Sequence, residues 1–69
     1  MKKLTYAIKN NWDRITEIKI EIFFNKNDYS FKMLENGVKI QLDRCCKGTL
    51  QEYIDVCKEY NRKYTVEEI

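Results

Sequence analysis

Alternation of apolar and polar residues in four successive segments constrains the fold of this chain more than any other feature. The alternation is strictest before Phe24, where Ile18, Ile20 and Ile22 are separated by charged residues. Successive side chains of a β-strand point to opposite faces, so a period of two residues indicates strands that bury one face. The β-branched content also favours strands over helices. The predicted strands cover approximately residues 3–9, 15–24, 28–34 and 38–44.

Two turns fix how these strands are expected to pair. Asn36 and Gly37 form the strongest short-range hairpin signal, because both central residues of a type I′ turn need a positive φ. Residues 25–28 are a polar four-residue loop. Both turns set apolar residues opposite apolar residues, and a slip by one residue would move them to the other face. The expected pairs are Met33–Ile40, Phe31–Leu42, Phe24–Tyr29, Ile22–Phe31 and Ile20–Met33.

A helix is expected after Gly48. Thr49 and Glu52 have the spacing of a capping box, with Thr49 as the N-cap. The apolar residues that follow recur at helical spacing, which predicts an amphipathic helix over residues 50–63. The tail, residues 65–69, is either a short edge strand or frayed. The chain is therefore expected to be one α+β domain, residues 1–69, with a four-stranded antiparallel meander covered on one face by a single helix (ββββα).

Composition excludes several kinds of chemistry. The 69 residues include no histidine, so the chain has neither a Ser-His-Asp nor a Cys-His arrangement and no imidazole metal ligand. Three cysteines make a poor disulfide framework and suit a reducing compartment. No segment approaches the ~20 apolar residues that span a bilayer. We expect a cytoplasmic protein that does not contact a membrane.

The remaining reactive side chains favour structural roles. A structural zinc site takes four ligands, and Cys45, Cys46 and Cys57 supply three. Alternation places Cys46 inward and helical spacing does the same for Cys57, which is typical of small core residues. The acidic residues expected on the outer sheet face include Glu21, which the predicted register sets opposite Lys32. These patterns favour a protein that is not an enzyme and needs no metal or cofactor.

Apolar residues outside the expected core predict a protein-binding surface. Phe23 and Leu34 fall on the outer face of neighbouring strands. Trp12 lies in the first turn beside Arg14, and tryptophan and arginine are frequent anchors of interfaces. The alternative is that scattered exposed apolar residues are ordinary and that Trp12 caps the core. Another protein is the expected partner, and exposed strand edges also leave a homodimer open.

Nucleic-acid binding is the alternative function. Its candidate residues lie near the first strand and the first turn: Lys2, Lys3, Lys9 and Arg14. The expected order of elements, a meander followed by one helix, resembles the single-stranded-DNA-binding domain of the positive cofactor 4 family of transcriptional coactivators. The resemblance implies a module that binds single strands or takes part in transcription. It rests on element order, so it assigns no binding residue, and the connection over residues 43–48 is longer than in that family.

Abundant Lys, Asn, Ile, Phe and Tyr point to AT-rich codons and thus to a low-GC bacterium, phage or mobile element. A small protein from such a source that binds another protein suggests a stoichiometric inhibitor of a host defence protein. This hypothesis depends on what small single-domain proteins commonly do and on no motif in the chain.

Overall fold

The computed structural model describes residues 1–10, 16–41 and 47–69. It contains a five-stranded antiparallel sheet and one helix, an α+β fold. The strands follow one another in the order β4-β3-β2-β1-β5 across the sheet. The elements are β1 (Lys2–Asn10), β2 (Thr16–Phe24), β3 (Ser30–Glu35), β4 (Val38–Ile40), α1 (Leu50–Glu59) and β5 (Tyr64–Glu68). The predicted meander and its single helix are thereby confirmed.

The long hairpin of β1 and β2 builds the centre of the core. Leu4 lies opposite Ile22 and Tyr6 opposite Ile20, so the alternation of both strands directs apolar side chains to the same face. Leu4, Ile22 and Phe24 are fully buried. Burying each such side chain stabilises the fold by about 1.5–3 kcal/mol relative to leaving it exposed. We call this the inner face of the sheet and the opposite side the outer face.

The tail of the chain forms a fifth strand. β5 pairs with β1 in antiparallel register, with Thr65 opposite Thr5 and Val66 opposite Leu4. The backbone N–H of Ile69 donates to the carbonyl oxygen of Met1, which extends the pairing to the end of the chain. The sequence predicted either a short edge strand or a frayed end for this segment. The structure has an edge strand here, so the sheet has five strands and not the predicted four.

The pairing of β3 differs from the prediction on one side. The turn at Asn36 and Gly37 pairs Met33 with Ile40 as expected. Both turn residues have positive φ, 50° for Asn36 and 85° for Gly37, as this turn requires. Towards β2, however, Met33 lies opposite Ile22, two residues from the predicted register. The predicted pairs Phe24–Tyr29, Ile22–Phe31 and Ile20–Met33 are therefore wrong, and Leu42 lies outside the described residues.

A longer loop and a β-bulge cause this difference, and each contributes one residue. Because Phe24 pairs with Ser30, the loop between β2 and β3 has five residues, 25–29, and not the predicted four. Phe23 lies opposite Lys32 and Phe24 opposite Ser30, so Phe31 is the extra residue of β3. Ser30 is consequently buried, whereas Tyr29 and Phe31 are 45% and 48% exposed. The prediction that Tyr29 and Phe31 face the core is wrong.

Local hydrogen bonds hold the bulged end of β3 in place. The Asn25 side-chain oxygen accepts from the backbone N–H groups of Asn27 and Tyr29, which tightens the loop before β3. The Ser30 N–H donates to the Gly48 carbonyl oxygen, and the Gly48 N–H donates to Ser30 Oγ at 3.0 Å. The segment that leads into the helix thus pairs with the start of β3 and draws Ser30 inward.

Helix α1 begins as predicted and ends earlier. Thr49 Oγ1 accepts from the Glu52 N–H at 3.2 Å, which confirms Thr49 as the N-cap. The predicted end at residue 63 is wrong because the chain turns at Asn61, whose φ is 53°. The Asn61 N–H donates to Lys58 and the Arg62 N–H donates to Cys57, the hydrogen bonds of a Schellman motif. This early end leaves residues 64–68 free to extend along β1.

The helix covers part of the inner face. Leu50 and Cys57 are buried, and Tyr53 and Ile54 pack against the core cluster. The rings of Phe24 and Tyr53 meet edge to face with their centres 5.7 Å apart. The described residues include no helix long and apolar enough to cross a membrane.

Candidate functional site

The outer face of the sheet carries two half-buried apolar residues that lie outside the core cluster. The register places Phe23 and Leu34 on this face, on the neighbouring strands β2 and β3. Lys32 lies directly opposite Phe23, and Lys39 lies directly opposite Leu34. Each apolar side chain therefore has a lysine beside it on the next strand. We call these four residues, Phe23, Lys32, Leu34 and Lys39, the outer patch.

Lys32 and Phe23 form the closest contact of the outer patch. The Lys32 ammonium nitrogen lies 4.9 Å from the centre of the Phe23 ring, a cation–π contact worth about 0.5–1 kcal/mol at an exposed site. The expectation that Lys32 lies opposite Glu21 is wrong, because the five-residue loop and the bulge together shift β3 and set Leu34 opposite Glu21. The lysine thus covers one face of an aromatic ring instead of pairing with a carboxylate.

The acidic side chain next to the patch is already neutralised. Glu21 is largely buried between Lys3, whose Nζ lies 3.3 Å from one carboxylate oxygen, and Lys19, at 3.9 Å from the other. Lys3 also reaches Glu67 of β5 at 3.7 Å. These charges balance one another across β5, β1 and β2. Lys32 and Lys39 therefore give the β3–β4 side of the outer face a positive character.

The structure separates the residues predicted to bind nucleic acid. Lys2 lies opposite Phe24, on the inner-face side of the register, and its ammonium is 3.2 Å from Asp28. Lys3 lies on the outer face and contacts Glu21 and Glu67. Lys9 is exposed at the other end of β1, opposite Glu17. The three lysines thus form no common basic surface, and each lies beside an acidic residue.

Two of the predicted binding residues, Trp12 and Arg14, lie outside the described residues. The same holds for Cys45 and Cys46, whose predicted positions the described part of the chain does not address.

Cys57 is the described cysteine, and its environment makes it a poor nucleophile. The side chain is 1% exposed in the core between the helix and the sheet. Burial raises the pKa of the Cys57 thiol, and the nearby Arg62 guanidinium lowers this pKa by a smaller amount. A thiol with a raised pKa remains protonated near neutral pH, whereas the thiolate is the reactive form. The described residues bring together no group of three or more Cys, Asp or Glu side chains able to hold a metal ion.

Two shallow depressions flank the core. One, of about 510 Å³, lies on the outer face around Ala7, whose small side chain leaves space between Lys19 and Lys63. The other, of about 290 Å³, lies on the inner face between Met33 and the helix residue Val56. Near the end of the helix, the Arg62 guanidinium lies 5.5 Å from the Tyr6 ring centre and 4.9 Å from that of Tyr60.

The patch combines residues that sequence reasoning selected with two that it missed. Phe23 and Leu34 were selected because they occupy the alternate positions of their strands whose side chains point to the outer face. Lys32 and Lys39 also occupy outward-pointing positions, so the alternation of the strands could have identified them. What the sequence did not show was the bulge, which places Lys32 against Phe23 and away from Glu21.

Comparison with known proteins adds no identification, since no protein-family model, curated protein or solved structure matches this chain.

Proposed function

We propose that this chain is a non-enzymatic protein-binding module that uses the outer patch to contact an apolar protein surface rimmed by carboxylates. The observation that carries the proposal is the arrangement of Phe23 and Leu34 on adjacent strands, each with a lysine directly opposite. A protein interface usually has an apolar centre and a polar rim, and here the two apolar residues would be the centre and the two lysines the rim. The two lysines favour an acidic partner because Glu21, the acidic residue opposite Leu34, already has lysine partners.

The same arrangement disfavours the nucleic-acid alternative. Base stacking needs an open aromatic face within a continuous basic groove. Lys32 lies over the Phe23 ring at 4.9 Å, so a base approaching from that side has to displace the lysine. Lys2 and Lys3 are each within 3.3 Å of a carboxylate oxygen, which reduces their attraction for phosphate. Single-stranded nucleic acid remains the second candidate, and salt dependence separates it from the first.

In this proposal the chain acts as a stoichiometric inhibitor that covers a functional surface of its target. A host defence protein of a low-GC bacterium is the proposed target, with a phage or mobile element as the source of the chain. Support for this narrower role comes from composition, through the abundance of residues with AT-rich codons. Trp12 and Arg14, outside the described residues, remain candidate anchors.

The experiment compares two double variants as affinity baits in a nuclease-treated lysate of a low-GC bacterium. Phe23→Thr/Leu34→Thr removes both apolar anchors, and threonine keeps a high strand propensity. The control, Val38→Thr/Val56→Thr, removes two exposed apolar residues that lie away from the patch. Capture of an acidic protein by the wild type and the control, and its loss with the patch variant, supports the proposal. Equal capture by both variants overturns it, provided that circular dichroism shows both folded.

Titrations with the captured partner then measure how much each residue of the outer patch contributes to the affinity. Truncation of an interface anchor typically weakens binding by at least tenfold, or about 1.4 kcal/mol. We expect such a loss for Phe23→Thr and for Lys32→Glu. Binding of a mixed-sequence oligonucleotide that weakens steeply between 50 and about 200 mM salt would instead establish the nucleic-acid alternative.

A further inference from the structure

β5 forms an edge of the sheet, and half of its backbone hydrogen-bonding groups pair with no strand in residues 1–10, 16–41 and 47–69. β5 is the last strand in the order, and no strand in the described part of the chain pairs with its other side. The Ile69 N–H donates to Met1, so the hydrogen-bonded pairs between β1 and β5 involve Thr65, Glu67 and Ile69. Backbone N–H and C=O groups alternate in direction along a strand. Those of Tyr64, Val66 and Glu68 therefore point away from β1.

We propose that β5 pairs with β5 of a second copy of this chain, in an antiparallel register centred on Thr65. The edge lacks two of the features that usually prevent such pairing. It has no proline and no bulge, and Val66 is 41% exposed. Two antiparallel copies related by a two-fold axis form a self-complementary interface, the most frequent arrangement of homodimers.

The hydrogen-bonding pattern limits the choice of register. The backbone groups of Tyr64, Val66 and Glu68 must form hydrogen bonds with backbone groups of the second copy that also point away from β1. Even-numbered residues therefore pair with even-numbered residues. The pair is then centred on a single residue of β5. Centring on Glu67 sets the two Glu67 carboxylates opposite each other, which destabilises a strand pair. Centring on Val66 sets Lys63 opposite Ile69 of the second copy and leaves its charge without a partner there.

The register centred on Thr65 gives favourable cross-strand pairs on both faces of the edge. On the outer face, Lys63 lies opposite Glu67 of the second copy, and Thr65 lies opposite Thr65. On the inner face, Tyr64 lies opposite Val66, an aromatic residue against a β-branched one. Both kinds of cross-strand pair stabilise sheets. By contrast, centring on Tyr64 would set Lys63 opposite an uncharged threonine.

The symmetry of this pairing has a consequence for binding. A two-fold axis perpendicular to the sheet keeps both outer faces on the same side, so the dimer displays two outer patches in one direction. A partner with repeated surfaces would then be bound with greater avidity than a monomer achieves. This consequence rests on the proposed function, whereas the dimer itself is tested without any partner.

The first experiment measures mass by sedimentation velocity and light scattering between about 10 μM and 1 mM protein in 50 mM salt. We expect concentration-dependent dimerisation of the full chain. Val66→Pro removes an N–H that points to the free edge, so it blocks pairing and leaves the β1–β5 hydrogen bonds intact. Val66→Thr is the matched control and keeps the N–H. A wild type that stays monomeric, or a Val66→Pro variant that dimerises equally well, overturns the proposal.

The second experiment tests the register. Lys63→Glu alone and Glu67→Lys alone each place like charges opposite each other at two points of the dimer, and we expect each to weaken dimerisation about tenfold. Mixing the two variants restores opposite charges at both points, so the mixture should form a heterodimer. The double variant should likewise regain self-association. Thermal melts confirm that each variant is folded, and weakened dimers without rescue overturn the Thr65-centred register.

Discussion

Replacing Ser30 by alanine tests the bulge that determines the outer face. Ser30 is 2% exposed, and its hydroxyl oxygen accepts from the N–H of Gly48, which is itself buried. Alanine preserves the backbone and leaves that N–H without its acceptor. An unsatisfied buried donor costs about 1–3 kcal/mol. For a domain of this size, 1 kcal/mol corresponds to roughly 4–8 °C in Tm, so Ser30→Ala should lower Tm by about 4–24 °C.

The matched substitution is at Phe31. Because Phe31 is 48% exposed, Phe31→Thr removes about half the burial of a phenylalanine side chain, or about 1 kcal/mol. In the register predicted from the turns, the two effects would be reversed. Ser30 would be exposed and its replacement neutral, whereas truncation of a buried Phe31 would cost about 3–5 kcal/mol.

Urea unfolding followed by circular dichroism measures both effects as changes in the free energy of unfolding. Ser30→Thr is the control, because it retains the hydroxyl that accepts from Gly48. A stability for Ser30→Ala within 0.5 kcal/mol of the wild type, together with a loss above about 3 kcal/mol for Phe31→Thr, would refute the bulged pairing.

Three further predictions concern the helix end, the core and the outer face. Asn61→Ala should cost about 1–2 kcal/mol because alanine is strained at a φ of 53°, whereas Asn61→Gly should retain full stability in a thermal melt. In a variant with Cys45→Ser and Cys46→Ser, the stabilisation from the protonated Cys57 thiol should be complete below about pH 8.5, the pKa of an unfolded cysteine. It should be lost as pH rises towards the raised pKa of the folded state, and Cys57→Ala should remove this part of the pH dependence measured by urea unfolding. Glu21→Gln should cost about 0.5–1 kcal/mol by weakening two ion pairs, and unfolding in 1 M salt should show a smaller difference.

The local features of the fold were predictable because each depends on a few neighbouring residues. The alternation in β1 and β2 defines their inner and outer faces, and the turn at Asn36 and Gly37 determines the pairing of β3 with β4. Thr49 caps the helix as its spacing from Glu52 indicates. The end of the helix also depends on neighbouring residues, because Asn61 tolerates a positive φ. The sequence nevertheless predicted a longer helix, because the apolar residues around Asn61 continue the helical spacing.

The candidate site depended both on the alternation of residues along each strand and on the pairing between strands. Parity along the strands placed Phe23 and Leu34 on the outer face, because a strand turns each successive side chain to the other side. The partners of these residues could not be read in the same way, because the register of β3 against β2 shifts at the bulge. The contact of Lys32 with Phe23, which argues against base stacking, follows from that shift.

The amino-acid sequence by itself determined the α+β class, the faces of β1 and β2 and the start of the helix, since periodicity, turn chemistry and capping act within a few residues. The tertiary structure decided the bulge of β3 and the pairing of β5 with β1. Both depend on segments distant in sequence: Gly48 draws Ser30 inward across 18 residues, and Met1 accepts the N–H of Ile69. Such contacts form when the whole sheet assembles, because hydrogen-bonding groups left unpaired by local structure find partners there.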